Sequence, residues 1–182
     1  MFIVLVRKWT TQRRWTAMDE WARDRNFDQL QPEVPLPGPL NALQVHSQLA
    51  LSDGRTSFFD FSPPMSEDQD AIHILHRQID WPIAPGGLRP LAEKISFLDR
   101  FKLTPFPLIM NDRFVAIGVD SAAARQIAET MRTLLPADLG LMVHGRSLLI
   151  DFSSRHFDTI EFDRMLALSE QLLKRLPTPQ AV

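Results

Sequence analysis

The chain of 182 residues contains no cysteine. This rules out a disulfide framework, a thiol nucleophile and a thiolate metal site, and it fits a reducing compartment. Long apolar runs are also missing. The one apolar terminal run, Phe2 to Val6, is far shorter than the ~20 residues that a membrane helix needs and too short for a signal-peptide core. Glycine is scarce, at seven residues. Gly86-Gly87 is the only adjacent pair, and it sits in neither a G-x-G-x-x-G nor a P-loop, so no nucleotide phosphate cradle is expected. Charge of one sign is lacking too. The net value of −2 creates no global field that would recruit nucleic acid.

The distribution of charge is less even than its total. Arg7, Lys8, Arg13 and Arg14 fall in the first 18 residues with no acid among them, leaving −6 for the remainder. With Trp9 and Trp15 alongside, they could stack on and neutralise a nucleic acid. The acidic balance elsewhere argues against that partner. An anionic membrane surface, met through Arg7, Lys8, Arg13 and Arg14, is the better match, and a protein partner is equally compatible. Residues 1–8 then read either as an edge strand or as the stub of a membrane anchor. The expected location is the cytoplasm, at the inner face of the membrane if the anchor reading holds.

An apolar fraction of 45 % and a charged fraction of 23 % are those of an ordinary folded domain, so disorder is expected only at the tips. One domain is expected over 1–182, with a proline-rich connector at 29–39 and a disordered tail at 178–182. Residues 10 to about 25 have helical spacing through Trp15, Met18 and Ala22, capped by Thr10 or Thr11. Leu43, Val45, Leu49 and Leu51 alternate with polar residues as in a half-buried strand. Asp53-Gly54 predicts a type I′ turn into a return strand from Thr56 to Phe61.

Ala71 to Ile79 reads as a third strand. The stretch 81–90 carries Pro82, Pro85, Gly86, Gly87 and Pro90 and is expected to be an irregular loop. Leu91, Ile95 and Leu98 suggest a short helix ending near Phe101. A second hairpin is predicted from Phe106 to Val119, turning at Asn111-Asp112. A third is predicted from Leu141 to Phe152, turning at Gly145-Arg146. Between them, Asp120 is placed to cap a helix from Ser121 to Leu135, which Pro136 stops. A last helix begins at Asp158, with Glu161 three residues on in imitation of a capping box, and ends before Pro177. This order predicts the α+β class, an antiparallel sheet of three hairpins with amphipathic helices packed on one face.

The chemistry-bearing residues form no convincing set. His73 and His76 make an H-x-x-H, but a strand would put them on opposite faces, and no cysteine or H-E-x-x-H completes a zinc site. His46 and His144 read as surface side chains. Asp151, Ser153, Ser154 and His156 lie within six residues, too local for a hydrolytic triad, whose members converge from separate segments. Paired acids such as Glu20 with Asp24, or Asp151 with Asp158, are what solvated ends carry. No catalytic, cofactor-binding or metal-ligating residue is therefore assigned. Two readings remain: a non-catalytic binding or interaction module, and a small-molecule enzyme or ligand sensor built from His73, His76, Trp81 and Arg89 around 81–90.

The stretch Met110-Asn111-Asp112-Arg113-Phe114-Val115-Ala116-Ile117 is followed by Asp120 and Ala122-Ala123-Ala124-Arg125. With Arg13-Arg14, Gly54, Phe59-Asp60 and Leu88-Arg89-Pro90, it resembles a loosely defined family of uncharacterised bacterial proteins. Their mark is a Phe-Asn-x-x-Phe hairpin, here with Met110 in place of the first Phe. The resemblance spans residues 13 to 177. It implies an α+β domain that often follows an N-terminal membrane helix, and it carries no catalytic residue over.

Overall fold

Alternation of side chains along β-strands creates two different faces. The computed structural model describes residues 16–31, 34–43, 47–61, 72–92, 96–106 and 113–177. The anchor stub or edge strand at 1–8, the caps Thr10 and Thr11, Arg13 and Arg14, His46, the turn Asn111-Asp112 and the tail 178–182 lie outside them. Seven strands form one antiparallel sheet: β1 (Asp28–Gln29), β2 (Ser47–Ser52), β3 (Thr56–Phe61), β4 (Ile72–Pro90), β5 (Pro105–Phe106), β6 (Phe114–Gly118) and β7 (Gly140–Asp151). Their order is β1-β2-β3-β4-β6-β5, with β7 along the other edge of β4. The α+β class and the antiparallel sheet are as the sequence predicts.

Three helices cover one face: α1 (residues 16–24), α2 (Ala122–Arg132) and α3 (Thr159–Leu173). Their buried side chains, among them Met18, Trp21, Met131, Phe162 and Met165, join Phe58, Leu75, Leu88, Leu141 and Phe152 of the sheet region. We call this the helix face. Phe162 packs against Phe58 with centroids 4.4 Å apart and against Trp21 at 5.1 Å. Burying each such ring stabilises by about 1.5–3 kcal/mol. On the opposite face, Phe59, Phe61, Ile74, Met142 and Leu149 meet Leu40, Phe97 and Leu98. The cover here is thin: two 3-10 segments, Gly38–Leu43 and Phe97–Phe101. The first ends the proline-rich connector, which we call the strap.

Local signals explain the helix ends. Asn26, at φ +58, closes α1, with Phe27 N–H donating to Ala22 O (2.8 Å) and Asn26 N–H to Arg23 O. Phe27 then stacks near Trp21, the apolar contact that accompanies this C-terminal motif. Asp158 caps α3 by accepting from Ile160 N and Glu161 N, while the Glu161 carboxylate is taken by Arg155 and Arg164. The cap of α2 is Ser121, whose Oγ accepts from Ala124 N; the expected cap, Asp120, is instead bound by Arg125. That helix ends at Arg132, short of Leu135.

Three further expectations are corrected. First, the turn between β2 and β3 centres on Gly54-Arg55, with Asp53 N–H bonded to Thr56 O, and of the two only Gly54 has positive φ. A type I′ turn needs positive φ at both central residues. Second, residues 141–152 are no hairpin, because β7 runs unbroken from Gly140 to Asp151 against β4. Third, 81–90 is no loop but the second half of the 19-residue β4. The prolines are tolerated because pairing slips there. From Gln78 to Ile83, β4 advances five residues while β7 advances two, and from Ile83 to Gly86 three against two. Bulged residues need not donate to a ladder, so Pro82 and Pro85 cost it nothing.

Candidate functional site

The bulged middle of the β4–β7 pair opens a recess on each face. Val143 and Leu148 both belong to the helix-face core, although residues five apart on a regular strand point in opposite directions. Gly145, at φ +59, absorbs the extra residue, a conformation that glycine adopts without the Cβ penalty. Across it, His144 and Ser147 both line the strap face.

On the helix face lies a cavity of about 280 Å³ between α2 and the sheet. Its walls are Trp81, Ile83, Leu88, Phe106, Ile127 and Met131. The space exists because small residues oppose one another there: Gly86 and Gly87 on β4, Ala124 and Ala128 on α2. Gly87 is required, since a Cβ would sit 2.0 Å from Leu141 O. Trp81 is half-buried, and its indole N–H is shielded from solvent with no acceptor among the described residues.

On the strap face, a cleft of about 730 Å³ runs between the prolines of the strap and the β7 bulge. Leu30, Val34 and the strap prolines make much of its wall apolar, while His76, Gln78, His144, Arg146, Ser147 and Ser57 supply polar groups from the sheet side. His76 Nε2 lies 3.1 Å from Ser147 Oγ, and burial lowers the imidazole pKa to about 4, so the ring is neutral at pH 7. Gly38 sits over this pair. A Cβ there would be 2.2 Å from Ser147 Oγ.

The residues of the proposed enzyme site do not converge. His73 is on the helix face, its ring beside Phe152 and Phe157, its Nδ1 2.9 Å from Arg155 O and its Nε2 3.6 Å from Asp60. His76 is on the strap face, as expected of residues three apart on a strand. Trp81 lines the apolar cavity, and Arg89 is clamped to Asp99 by two bonds of 2.8 and 3.1 Å.

Asp151 is buried and accepts from Ser96 Oγ, Phe97 N and both donors of Ser153. Burial raises its pKa against the effect of those bonds. The Ser153 hydroxyl donates to Asp151 at 2.5 Å and accepts from His73 N–H. His156 is exposed and is not among Asp151's partners. This group ties the 3-10 segment Phe97–Phe101 to the end of β7. Sequence reasoning missed Gly38 and Ser147, which touch across 109 positions of chain; the one available signal was a glycine among alternating prolines.

Fold and recesses together define an α+β domain with an apolar cavity on one face and, on the other, a wider cleft into which histidine, serine and arginine side chains are gathered. Among the described residues, no three His, Cys, Asp or Glu side chains are grouped to hold a metal, and no helix is long and apolar enough to cross a membrane. No protein family model and no curated protein matches the chain. The fold is similar to the crystal structure of the mycobacterial trehalose monomycolate transport factor A, TtfA, with a TM-score of 0.59 over 91 % of this chain and 97 % of that one. Identity is 14 %, so the likeness is one of fold.

Proposed function

We propose that the chain is a non-catalytic binding module that takes an apolar ligand into the cavity under α2 and works at the inner face of a membrane. The observation that carries this reading is the cavity itself. A pocket of about 280 Å³, open on one side and walled mostly by apolar side chains, suits an alkyl chain or ring. The scattering of His73, His76, Trp81 and Arg89 leaves the enzyme reading without a site. The fold shared with a protein named as a transport factor agrees with a role that needs no catalytic set. Placement at a membrane draws on Arg7, Lys8, Arg13 and Arg14 and on the resemblance to a membrane-tethered family. Each basic residue near an anionic surface adds about 1 kcal/mol.

The test is a titration with medium-chain n-alkanols, followed by thermal unfolding and Trp fluorescence. A ligand at 100 times its Kd adds about 2.7 kcal/mol, which raises the midpoint of a chain this size by roughly 5–10 °C. Ala124→Leu fills the cavity and should abolish the shift while keeping the fold. A flat response, or one that Ala124→Leu leaves intact, overturns the cavity reading. Flotation with anionic vesicles, lost when the four early basic residues become Gln, tests the membrane part separately.

A further inference from the structure

The cleft under the strap contains groups for which neither the fold nor the apolar cavity has a use. His76 is only 5 % exposed, and its Nδ1 is buried with no hydrogen-bond partner among the described residues. Buried polar atoms are almost always partnered, so an orphan at the floor of a cleft asks for an explanation. Its neighbour Ser147 is equally buried, at 4 %. At the rim, Arg146 is exposed and has no ion-pair partner among the described residues, whereas Arg25, Arg55, Arg89, Arg125 and Arg155 are each matched to an aspartate. Among the described residues that line the cleft there is no carboxylate. Asp53, next to the rim residue Ser52, has its side chain turned back onto Arg55 N and Thr56 N.

We propose that this cleft is a second binding site, for a small oxyanion (a phosphate monoester or a carboxylate), with Arg146 as the counter-charge and Ser147, backed by His76, as the hydrogen-bond donor. The division of labour follows from the chemistry. His76 is held neutral by its burial and adds no charge, so the attraction must come from Arg146 at the mouth. An anion that accepts the Ser147 O–H leaves the Oγ lone pairs facing His76 Nε2. The imidazole must then carry its proton on Nε2, so the unpartnered Nδ1 is left as a lone pair and not as an unsatisfied buried N–H. Binding thus sets the tautomer of a ring that touches the ligand only through Ser147. The strap lies close over the arrangement, since at position 38 only a residue without a Cβ leaves room for the Ser147 hydroxyl.

The experiment is a 15N NMR titration of the full chain with glycerol 3-phosphate and with succinate, glycerol being the neutral control. A separate arm uses vesicles containing phosphatidic acid. Saturating shifts centred on Arg146, Ser147 and His76, with His76 locked as the Nε2–H tautomer and glycerol silent, are expected. Arg146→Gln, at an exposed position, should weaken binding at least about tenfold without disturbing the fold, and Ser147→Ala should remove the tautomer signature. A response to soluble anions assigns the site to a free metabolite; a response to vesicles alone assigns it to a lipid headgroup. No saturable change with either source, shifts centred away from the cleft, or full-strength binding by Arg146→Gln overturns the proposal.

Discussion

The two faces of this sheet are covered by opposite means. The helix face is sealed by three amphipathic helices and a continuous aromatic cluster, in which Phe162 alone meets Trp21, Phe58 and Phe157. The strap face is covered by two single 3-10 segments, held by the buried Asp151 with its Ser96 and Phe97 donors and by the close fit of Gly38 onto Ser147. A small apolar core still lies beneath them, around Phe59, Phe61 and Phe97. Apolar burial is non-directional and can leave a void without losing its neighbours; polar pins work only in one geometry. Both recesses are walled mostly by apolar atoms, but the cleft under the strap also gathers His76, His144, Arg146 and Ser147.

The largest break in this comparison should come from the aromatic cluster. Phe162→Ala removes a fully buried ring with three aromatic neighbours, at an expected cost of about 3–5 kcal/mol by urea unfolding. A cost below about 1.5 kcal/mol would mean that the cluster is not what holds the helices down. The next effect comes from adding carbon to each face in turn. Gly38→Ala forces a Cβ into left-handed backbone and onto Ser147, at about 2–3 kcal/mol. Ala124→Leu adds more atoms but places them in the open cavity, and should be neutral or stabilising by about 0.5–2 kcal/mol. Equal costs at the two positions would erase the distinction between the faces.

Most of this fold is written in local signals, and the exceptions share one cause. The strand from Thr56 with its Phe-rich pattern, the Asp158 cap and the end of the first helix near residue 25 are read correctly from neighbours in sequence. Gly145-Arg146 and the prolines of 81–90 are turn chemistry too, yet they form bulges, because β4 and β7 pair along their whole lengths and that tertiary gain outweighs local preference. The same bulges border both recesses; the sequence points to 81–90 as a place for a ligand, and residues 81–84 and 86–88 do line the apolar cavity, but as bulged strand and not as loop. Glycine and alanine lining a cavity leave no chemical signature at all. His76 was visible as a histidine, but nothing local shows that Ser147 and Gly38 reach it.

The smallest predicted effect separates the faces by the sign of their pH dependence. Asp138, beside the helix face, is bonded to Arg155, and that bond holds its pKa below the ordinary 3.8. Its contribution to stability is fully present above 3.8 and is lost as pH falls through the lower, folded value. Asp151, pinned on the strap face, has its pKa raised by burial, so between 3.8 and its folded value the native state binds more protons than the unfolded chain. Its contribution therefore grows as pH falls through that window and levels off below 3.8. Urea unfolding of Asp138→Asn and Asp151→Asn beside the parent chain, from pH 7 downwards, reads both. The parent should lose its advantage over Asp138→Asn only below about pH 4, and should gain on Asp151→Asn on the way down to it. Parallel behaviour of the two variants would show that the four donors to Asp151 outweigh its burial and hold its pKa below 3.8, so that the strap face would lose stability in acid just as the helix face does.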